Sequence, residues 1–361
     1  MINNIEKYSL TFNHCKKIIF ILLNLLIVTL TLTIYRKKKK IGIIGVRHCH
    51  NIGANLVKYA ISIKLYELGF IPYIIGTHYN NYDISFLKRN TNLIIIKYSF
   101  SEIKRNDFDI LMISSDQTWR KFDKFFYDHA FLKFAQNWTI PKIVYGASLG
   151  YNYWKLTKND EKIAKNLLQS FKAISVREKG SINLVRKHLG INPELVLDPT
   201  LLIDKKYYLR LIHNIKGNNL KTNDCLFIYS LRNTTNMRLF IDIANKKLGY
   251  KIYYIEMNTK YSIEKFIYGI INCKAVITNS FHGTLFSIIF NKPFITFIFK
   301  GSPKERFLYL KDIFKIGNRI IEDNTIPNIG LLSKPLNINY SLMNKLKLKS
   351  IKYLKKNLGI L

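Results

Sequence analysis

IGIIGVRHCHNIGANLVKYAISIKLYELGFIPYIIG, residues 41–76, contains the pattern of a strand, a helix and a second strand. The apolar run that ends at Gly45 is typical of a short buried strand, and apolar residues recur at helical spacing between Asn55 and Leu68. Gly69 ends the helix, and the run FIPYIIG predicts the next strand. This order of elements is typical of the start of a doubly wound parallel α/β domain.

The same alternation of strands and helices continues along the chain and restarts after a polar segment at residues 214–224. Further strands are predicted at Leu93–Ile96, Asp109–Asp116, Ile143–Gly150, Ala173–Glu178, Cys225–Leu231, Lys251–Met257, Ala275–Ser280 and Pro293–Phe299. We therefore expect two Rossmann-like domains, residues 41–210 and 211–330, with the polar segment as their hinge. A basic amphipathic helix is predicted in the remaining residues, 331–361.

The N-terminus has the pattern of a membrane anchor, which we assign to residues 1–40. Residues 18–35 hold no charge, and as a helix they would span about 27 Å, enough for the hydrocarbon core of a bilayer. Five basic residues follow at Arg36–Lys40, more than precede the segment, so we expect a transmembrane helix with the body on the cytoplasmic side. An interfacial helix lying on the bilayer is the alternative.

The formal net charge is +34, and it is not confined to the N-terminus. Residues 1–40 hold eight basic and one acidic side chain, so the remainder still carries +27. Such a charge favours phosphorylated or other anionic partners, although abundant lysine, isoleucine and asparagine are also expected from an AT-rich coding sequence. Zinc-finger spacing, an aromatic RNA-binding motif and a Gly/Arg tract are absent, so we expect no nucleic-acid partner. Four cysteines exclude a disulfide scaffold.

Polar residues follow the first predicted strand, where an open α/β sheet binds its ligands. Asn51 and Gly53 stand before a helix, whose first N–H groups can bind an anion. The neighbouring His48, Cys49 and His50 lack the spacing of zinc ligands, so we expect no metal.

A carboxylate, an amide and an indole follow the fourth strand, at Asp116, Gln117 and Trp119. Asp116 and Gln117 can hydrogen-bond a hydroxyl-rich ligand, and Trp119 offers a flat face to a sugar ring. We take Asp116 as a candidate catalytic residue. Its alternative role is the N-cap of the next helix.

Two arginines are candidate anion ligands. Arg177 follows the strand AISV, and a guanidinium at a strand end suits a carboxylate or phosphate, whereas a structural ion pair is the alternative. Arg306, in GSPKERF, offers a further anion contact. Asp198, which precedes a proline, is typical of a turn between domains.

The sharpest local feature is TNSFHGT, residues 278–284, which joins a strand to a helix in the second half. His282 stands near the predicted helix N-terminus, and Ser280 and Gly283 beside it are candidate substrate ligands. This setting suits a general acid or base or an anion contact, and a structural histidine is the alternative.

Taken together, these motifs resemble those of the polysaccharide pyruvyl transferase family. They occur in order between residues 41 and 320: IGIIG…NIGANL from 41, SSDQTW at 114–119, YGASLG at 145–150, ISVREKGS at 174–181, LDPTLL at 197–202, TNSFHGTLFSIIFNKPF at 278–294, and the arginine of KERF. Each motif is modest alone, but the ordered set is specific. The N-terminal segment and the basic C-terminal tail lie outside the resemblance.

The resemblance implies a fold similar to the GT-B glycosyltransferases and a transferase that needs no cofactor. It implies transfer of a pyruvyl group from phosphoenolpyruvate to two hydroxyls of a lipid-linked or nucleotide-linked sugar, forming a pyruvate ketal in surface polysaccharide biosynthesis. Arg177 resembles the family's donor-binding arginine, and His282 resembles its catalytic histidine. Several members carry an arginine two positions before that histidine, where this chain has Ser280.

Two other functions remain open from the sequence. A glycosyltransferase of similar architecture would use a nucleotide sugar, with Glu264 as a candidate ribose ligand. A non-catalytic module would bind glycans, or the membrane through residues 18–35.

Overall fold

The computed structural model describes residues 38–45, 51–75, 81–90, 95–96, 99–121, 125–151, 153–213, 225–256 and 262–361. The predicted membrane anchor, residues 1–40, lies outside these ranges except for its last three residues, and so does the predicted hinge at 214–224. Within the described ranges, no helix has both the length and the apolar character that spanning a membrane requires.

The first domain is built on a parallel sheet. Its described strands are β1 (Lys40–Ile44), β2 (Ile71–Ile75), β3 (Ile95–Ile96), β4 (Ile110–Ile113), β5 (Lys142–Ala147), β6 (Ala173–Val176) and β7 (Glu194–Leu195). They lie in the order β3-β2-β1-β4-β5-β6-β7. The order reverses between β1 and β4, where Ile41 pairs with Ile110. Ligands of open α/β sheets bind at such a reversal, beyond the carboxyl ends of the strands.

The second domain repeats this design with its own parallel sheet. Its described strands are β8 (Cys225–Ser230), β9 (Lys251–Glu256), β10 (Ala275–Thr278), β11 (Phe294–Ile298) and β12 (Ile320–Glu322). They lie in the order β12-β11-β10-β8-β9, and the reversal lies between β8 and β10. The predicted α/β class with two Rossmann-like domains is therefore confirmed.

Helices alternate with the strands in both domains. In the first domain they are α1 (Ile52–Glu67), α2 (Asn81–Asn90), α3 (Phe126–Phe131), α4 (Lys158–Leu168), α5 (Lys179–Leu189) and α6 (Lys205–Ile212). They continue with α7 (Thr235–Leu248), α8 (Ile263–Asn272), α9 (Phe281–Ile289), α10 (Lys304–Phe314) and α11 (Tyr340–Leu358). Helix α6 runs across the domain boundary predicted at residue 210.

Two capped helices begin at the points where the strand orders reverse. The side chain of Asn51 accepts a hydrogen bond from the Ala54 N–H at 3.0 Å and so caps α1. The hydroxyl of Ser280 accepts one from the Gly283 N–H at 3.3 Å and so caps α9. The local sequence therefore starts both helices close to the sheet edges where a ligand would bind.

A continuous apolar core joins the two domains. The ring of Tyr208 in α6 lies 6.1 Å from that of Tyr59 in α1 and 4.9 Å from that of Phe286 in α9, measured between centroids. All three side chains are buried in the same cluster. This packing fixes α1 of the first domain relative to α9 of the second, so the two helix N-termini have a defined relative position.

The predicted basic C-terminal helix, α11, packs against the first domain. Its Tyr353 hydroxyl donates to the Val144 carbonyl at 2.7 Å, and its Ser350 hydroxyl accepts from the Leu197 N–H at 2.9 Å. Leu354 and Leu358 are buried on the same face. The chain thus returns from the second domain and covers the first sheet.

Candidate active site

The N-termini of α1 and α9 meet where the two domains face each other. His282, the second residue of α9, places its imidazole directly against Gly53, the second residue of α1. A Cβ at position 53 would overlap Nδ1 of that ring. The imidazole can therefore come this close to α1 only because residue 53 is glycine. The NIGA and SFHG motifs form one site.

A buried guanidinium lies beside this contact. Arg177 is 2% exposed and donates through Nη1 to Asp198 Oδ2 at 2.6 Å, through Nε to Glu178 Oε1 at 3.2 Å, and through Nη2 to Asp116 Oδ1 at 3.4 Å. Charge-assisted hydrogen bonds of this kind are roughly twice as strong as neutral ones. The structural ion pair, the alternative that the sequence left open, is what the described residues show, with three carboxylates as partners.

The charges of this cluster keep two aspartates ionised. Burial alone would raise the pKa of Asp116, but electrostatic interactions with Arg177, His282 and Arg306 lower it below its ordinary value. Burial would likewise raise the pKa of Asp198, and His282, Arg177 and the Thr200 hydroxyl lower it. Both carboxylates are therefore ionised at neutral pH, where they can oppose positive charge but are unsuited to act as acids.

Asp198 lies beside the histidine, a position that the sequence did not predict. Its Oδ1 accepts from the N–H and the hydroxyl of Thr200, at 3.0 and 2.7 Å, so Oδ2 is left to face Arg177 and His282. The distance from His282 Nε2 to Oδ2 is 3.8 Å, beyond hydrogen-bond length, and Nε2 has no hydrogen-bond partner among the described residues. The imidazole is thus held near a carboxylate with one nitrogen left to serve a ligand.

A second buried arginine completes the site. Arg306 of α10 and Arg177 both contact the ring of Phe281, with Cζ 5.1 and 4.8 Å from its centroid. Burial and the charge of Arg177 lower the pKa of Arg306 to about 10, so it remains cationic at neutral pH. Within the described part of the chain its Nε has no hydrogen-bond partner. Buried polar atoms are normally satisfied, so this donor is available to an anionic ligand.

The β10–α9 turn is held by its own side chains. The Thr278 hydroxyl donates to the Tyr229 carbonyl at 2.6 Å, and Asn279 Oδ1 accepts from the Leu231 N–H at 2.7 Å. A Cβ at Gly283 would overlap the Thr278 hydroxyl, which explains the glycine after His282. Ser280, predicted as a substrate ligand, uses its hydroxyl as the α9 cap.

The loop after β4 has a strained residue at the site. Asp116 adopts a φ of +88°, a left-handed conformation that is unusual for a non-glycine residue, and its carbonyl accepts from Thr118 N at 2.7 Å and Ser148 N at 3.0 Å. Its carboxylate binds Arg177 and does not cap a helix. Gln117 Oε1 accepts from Arg120 Nη1 at 2.9 Å.

The indole of Trp119, for which the sequence predicted a flat face open to a sugar ring, is buried. The side chain is 1% exposed, its Nε1 donates to the Ala130 carbonyl at 3.0 Å, and its ring lies 5.8 Å from that of Phe131. Helix α3 contacts the indole through Ala130 and Phe131. The sequence showed a tryptophan at a strand end but not the helix that packs over it.

No metal centre is evident in the part of the chain that the structure describes, where no three His, Cys, Asp or Glu side chains are grouped to hold an ion. His48, Cys49 and His50 lie outside the described residues. Glu264, the candidate ribose ligand, instead pairs with Arg89 of the first domain at 3.1 Å.

Comparison with known proteins agrees with the motifs. The family model for polysaccharide pyruvyl transferase matches residues 51–299, which include every candidate site residue except Arg306. The chain belongs to this family. Its members are transferases, so the protein is an enzyme. A search of curated proteins finds no match.

Solved structures support the GT-B-like arrangement of this pyruvyl transferase family member. UDP-GlcNAc 2-epimerase from Methanocaldococcus jannaschii is 15% identical, with a TM-score of 0.54 over 88% of this chain and 99% of that one. The enzyme from Neisseria meningitidis, bound to UDP-GlcNAc, is 10% identical, with a TM-score of 0.52 over 90% and 100%. At such identities the likeness shows the fold alone.

Gly53→Ala is expected to displace the His282 imidazole, because the added methyl group takes the space of the ring. A shift of about 1 Å in a reacting group costs roughly 100-fold in rate, so we expect a loss of that order in turnover with the fold retained. Gly317→Ala is the matched control, since its nearest neighbour, Lys311 Cε, would lie 3.5 Å away. Turnover and urea unfolding measure both variants, and a fully active Gly53→Ala enzyme would refute the contact.

Arg177→Gln is expected to lower the free energy of unfolding by about 3–5 kcal/mol, because it leaves buried carboxylates without their cation. In the wild type, lowered pKa values of Asp116 and Asp198 give stability that is present above their ordinary pKa and lost as pH falls through the lowered values. The variant loses this advantage, so its acid unfolding begins at higher pH. Urea titrations from pH 3 to 8 test this against the exposed control Arg238→Gln, and equal acid transitions would disprove it.

Proposed function

We propose that this protein transfers a pyruvyl group from phosphoenolpyruvate to two hydroxyls of a sugar, forming a pyruvate ketal during surface polysaccharide assembly. The observation that carries the proposal is the buried imidazole of His282, with Asp198 on one side and the unpartnered Nε of Arg306 in the same cluster. Membership of the pyruvyl transferase family supports it.

The donor needs cations, because phosphoenolpyruvate carries a carboxylate and a phosphate. Arg306 is the better donor ligand, since three carboxylates already oppose the charge of Arg177. The first N–H groups of α1, which begins beside His282, offer a further anion contact. We therefore assign donor binding to Arg306 and the Asn51–Gly53 turn, and we assign a positioning role to Arg177.

The reaction balances with one proton shuttle. His282 accepts the proton of the first sugar hydroxyl and delivers it to the methylene carbon of phosphoenolpyruvate, which becomes the methyl group. The hydroxyl oxygen bonds to the neighbouring carbon. The C–O bond to phosphate then breaks, the second hydroxyl attacks the same carbon, and its proton leaves with the phosphate. The negative charge of Asp198 beside the imidazole stabilises the imidazolium that forms between the two transfers.

The ionised Asp116 has an electrostatic role in this scheme. Protonation of the methylene group, and later loss of phosphate, put positive charge on the ketal carbon. A carboxylate fixed in advance opposite that charge stabilises it at no reorganisation cost. Arg177 fixes Asp116, and Gln117 follows it in the same loop, where its amide can hydrogen-bond an acceptor hydroxyl.

Glycosyl transfer from a nucleotide sugar is the second candidate. It rests on similar structures such as the Neisseria meningitidis enzyme bound to UDP-GlcNAc and the S. aureus MnaA–UDP structure, which at 12% identity has a TM-score of 0.52 over 90% of this chain and 98% of that one. Glu264, the residue that the sequence offered as a ribose ligand, is already paired with Arg89.

Phosphoenolpyruvate is expected to raise the melting temperature of the full-length protein, because a ligand that binds only the native state stabilises it. Arg306→Gln should abolish this rise, whereas the exposed control Arg238→Gln should retain it. His282→Ala should retain the rise but lose about 100-fold or more in phosphate release with a panel of sugar acceptors, because it lacks the proton-transfer group.

Three results would contradict the proposal. Stabilisation by UDP- or GDP-sugars and not by phosphoenolpyruvate indicates glycosyl transfer. No stabilisation by either class indicates a non-catalytic binding module. A His282→Ala enzyme with wild-type phosphate release removes the histidine from the chemistry.

We propose that residues 18–35 anchor the enzyme in the membrane with its body in the cytoplasm, close to lipid-linked acceptors. Full-length protein should then stay with membranes after washing with carbonate and with high salt, and its body should resist protease added outside sealed cells. Release by carbonate would show that the segment does not span the bilayer. Digestion from outside would reverse the orientation.

A further inference from the structure

A second pocket lies on the first domain, where the chain leaves β4 and β5. Its volume is about 170 Å³, below the roughly 300–1,000 Å³ of a pocket for a whole small-molecule ligand, so it suits one part of a larger ligand. We call it the tyrosine pocket and define it by Arg120, Lys121, Tyr151, Tyr153, Lys155 and Asp160.

Positive charge surrounds the ring of Tyr151 in this pocket. Lys155 Nζ lies 4.5 Å from the ring centroid and donates to the hydroxyl at 3.2 Å, and Arg120 Cζ lies 4.9 Å from the centroid. Burial would raise the pKa of Tyr151, but Lys155 and Arg120 lower it. Lys121 pairs with Asp160 at 2.8 Å, whereas Arg120 and Lys155 place their cationic groups beside the ring of Tyr151.

A second tyrosine provides an open aromatic face. Tyr153 is 54% exposed, and its ring centroid lies 5.4 Å from that of Tyr151 with an angle of 37° between the planes. An exposed aromatic side chain beside two cations matches a ligand with an apolar ring face and an attached anion. A phosphorylated sugar has both features, whereas inorganic phosphate or a neutral sugar has only one.

The pocket is connected to the candidate active site. Arg120 binds Gln117, the neighbour of Asp116, and its charge contributes to the lowered pKa of Arg306. A Cβ at Gly150, which has a φ of +68°, would lie 3.0 Å from both Arg120 Cδ and Gln117 Oε1. Residue 150 thus carries no side chain where the pocket meets the loop of Asp116, and Arg120 faces both.

We propose that the tyrosine pocket is the acceptor subsite, in which Arg120 and Lys155 bind the phosphate of a phosphorylated sugar and Tyr153 stacks on its ring. The proposal rests on the function proposed above and assigns a binding site to the phosphate that a lipid-linked or nucleotide-linked acceptor carries. The phosphate of a lipid-linked sugar and that of a nucleotide sugar share this chemistry.

Calorimetric titration of the full-length protein with galactose 1-phosphate, galactose and inorganic phosphate tests the pocket. We expect galactose 1-phosphate to bind at least tenfold more tightly than either single-feature probe. Lys155→Gln should weaken its binding about tenfold, as expected for loss of one charge-assisted hydrogen bond, and Lys162→Gln, an exposed lysine of α4, is the matched control. Tyr153→Ala should weaken the binding of galactose 1-phosphate and leave the affinity for inorganic phosphate unchanged.

Wild-type affinity in Lys155→Gln, or equal weakening by Lys162→Gln, would overturn the proposal, as would failure of the wild type to bind galactose 1-phosphate. Tighter binding of UDP-galactose or of a prenyl-diphosphate galactose supports it and identifies the source of the phosphate. The rise in melting temperature with phosphoenolpyruvate separates the two proposals. A pocket variant that keeps this rise but no longer binds the sugar phosphate has lost only acceptor binding. Absence of the rise in the wild type would contradict the proposed function.

Discussion

Three carboxylates share one buried guanidinium at the centre of this protein. Asp116 follows β4, Glu178 follows β6 and Asp198 follows β7, so Arg177 ties together three loops at one edge of the first sheet. Removing so much negative charge from water is costly unless a cation compensates it. The ion cluster thus fixes where these loops lie, and it also keeps Asp116 and Asp198 ionised beside the imidazole. Arg177 therefore serves both the fold and the charge state of the site.

The other constraint is that the site needs both domains. His282, Phe281 and Arg306 come from the second domain, and Gly53, Asp116 and Asp198 come from the first. A Cβ at Gly180 would lie 2.6 Å from Glu305 Oε2, so the α10 carboxylate sits close against the start of α5, where the helix dipole favours negative charge. Together with the packing of Tyr208, this contact sets the distance between the two helix N-termini. Small changes at the domain junction therefore act directly on the reacting groups.

The sequence predicted what local patterns encode. Apolar runs located most strands, and the glycine motifs located the turns at which both strand orders reverse, because these signals lie within a few neighbouring residues. Trp119, Asp198 and Arg177 were harder, because their roles depend on partners far along the chain. Asp198 and Asp116 lie 21 and 61 residues from Arg177, and the indole is covered by α3 only in the folded state. A single sequence shows a candidate cation at residue 177 but not the carboxylates that surround it.

Ser280 shows how charge balance constrains this version of the site. Its side chain is buried, and its hydroxyl caps α9 two residues before His282. An arginine there would replace the cap with a third guanidinium near Arg177 and Arg306, and burial together with the charges of Arg177 and Arg120 already lowers the pKa of Arg306. With serine, two arginines face three carboxylates, and Arg306, whose Nε has no hydrogen-bond partner among the described residues, is left as the cation for the proposed anionic donor. The absence of arginine at 280 is therefore compatible with donor binding, because α10 supplies the charge from a different element.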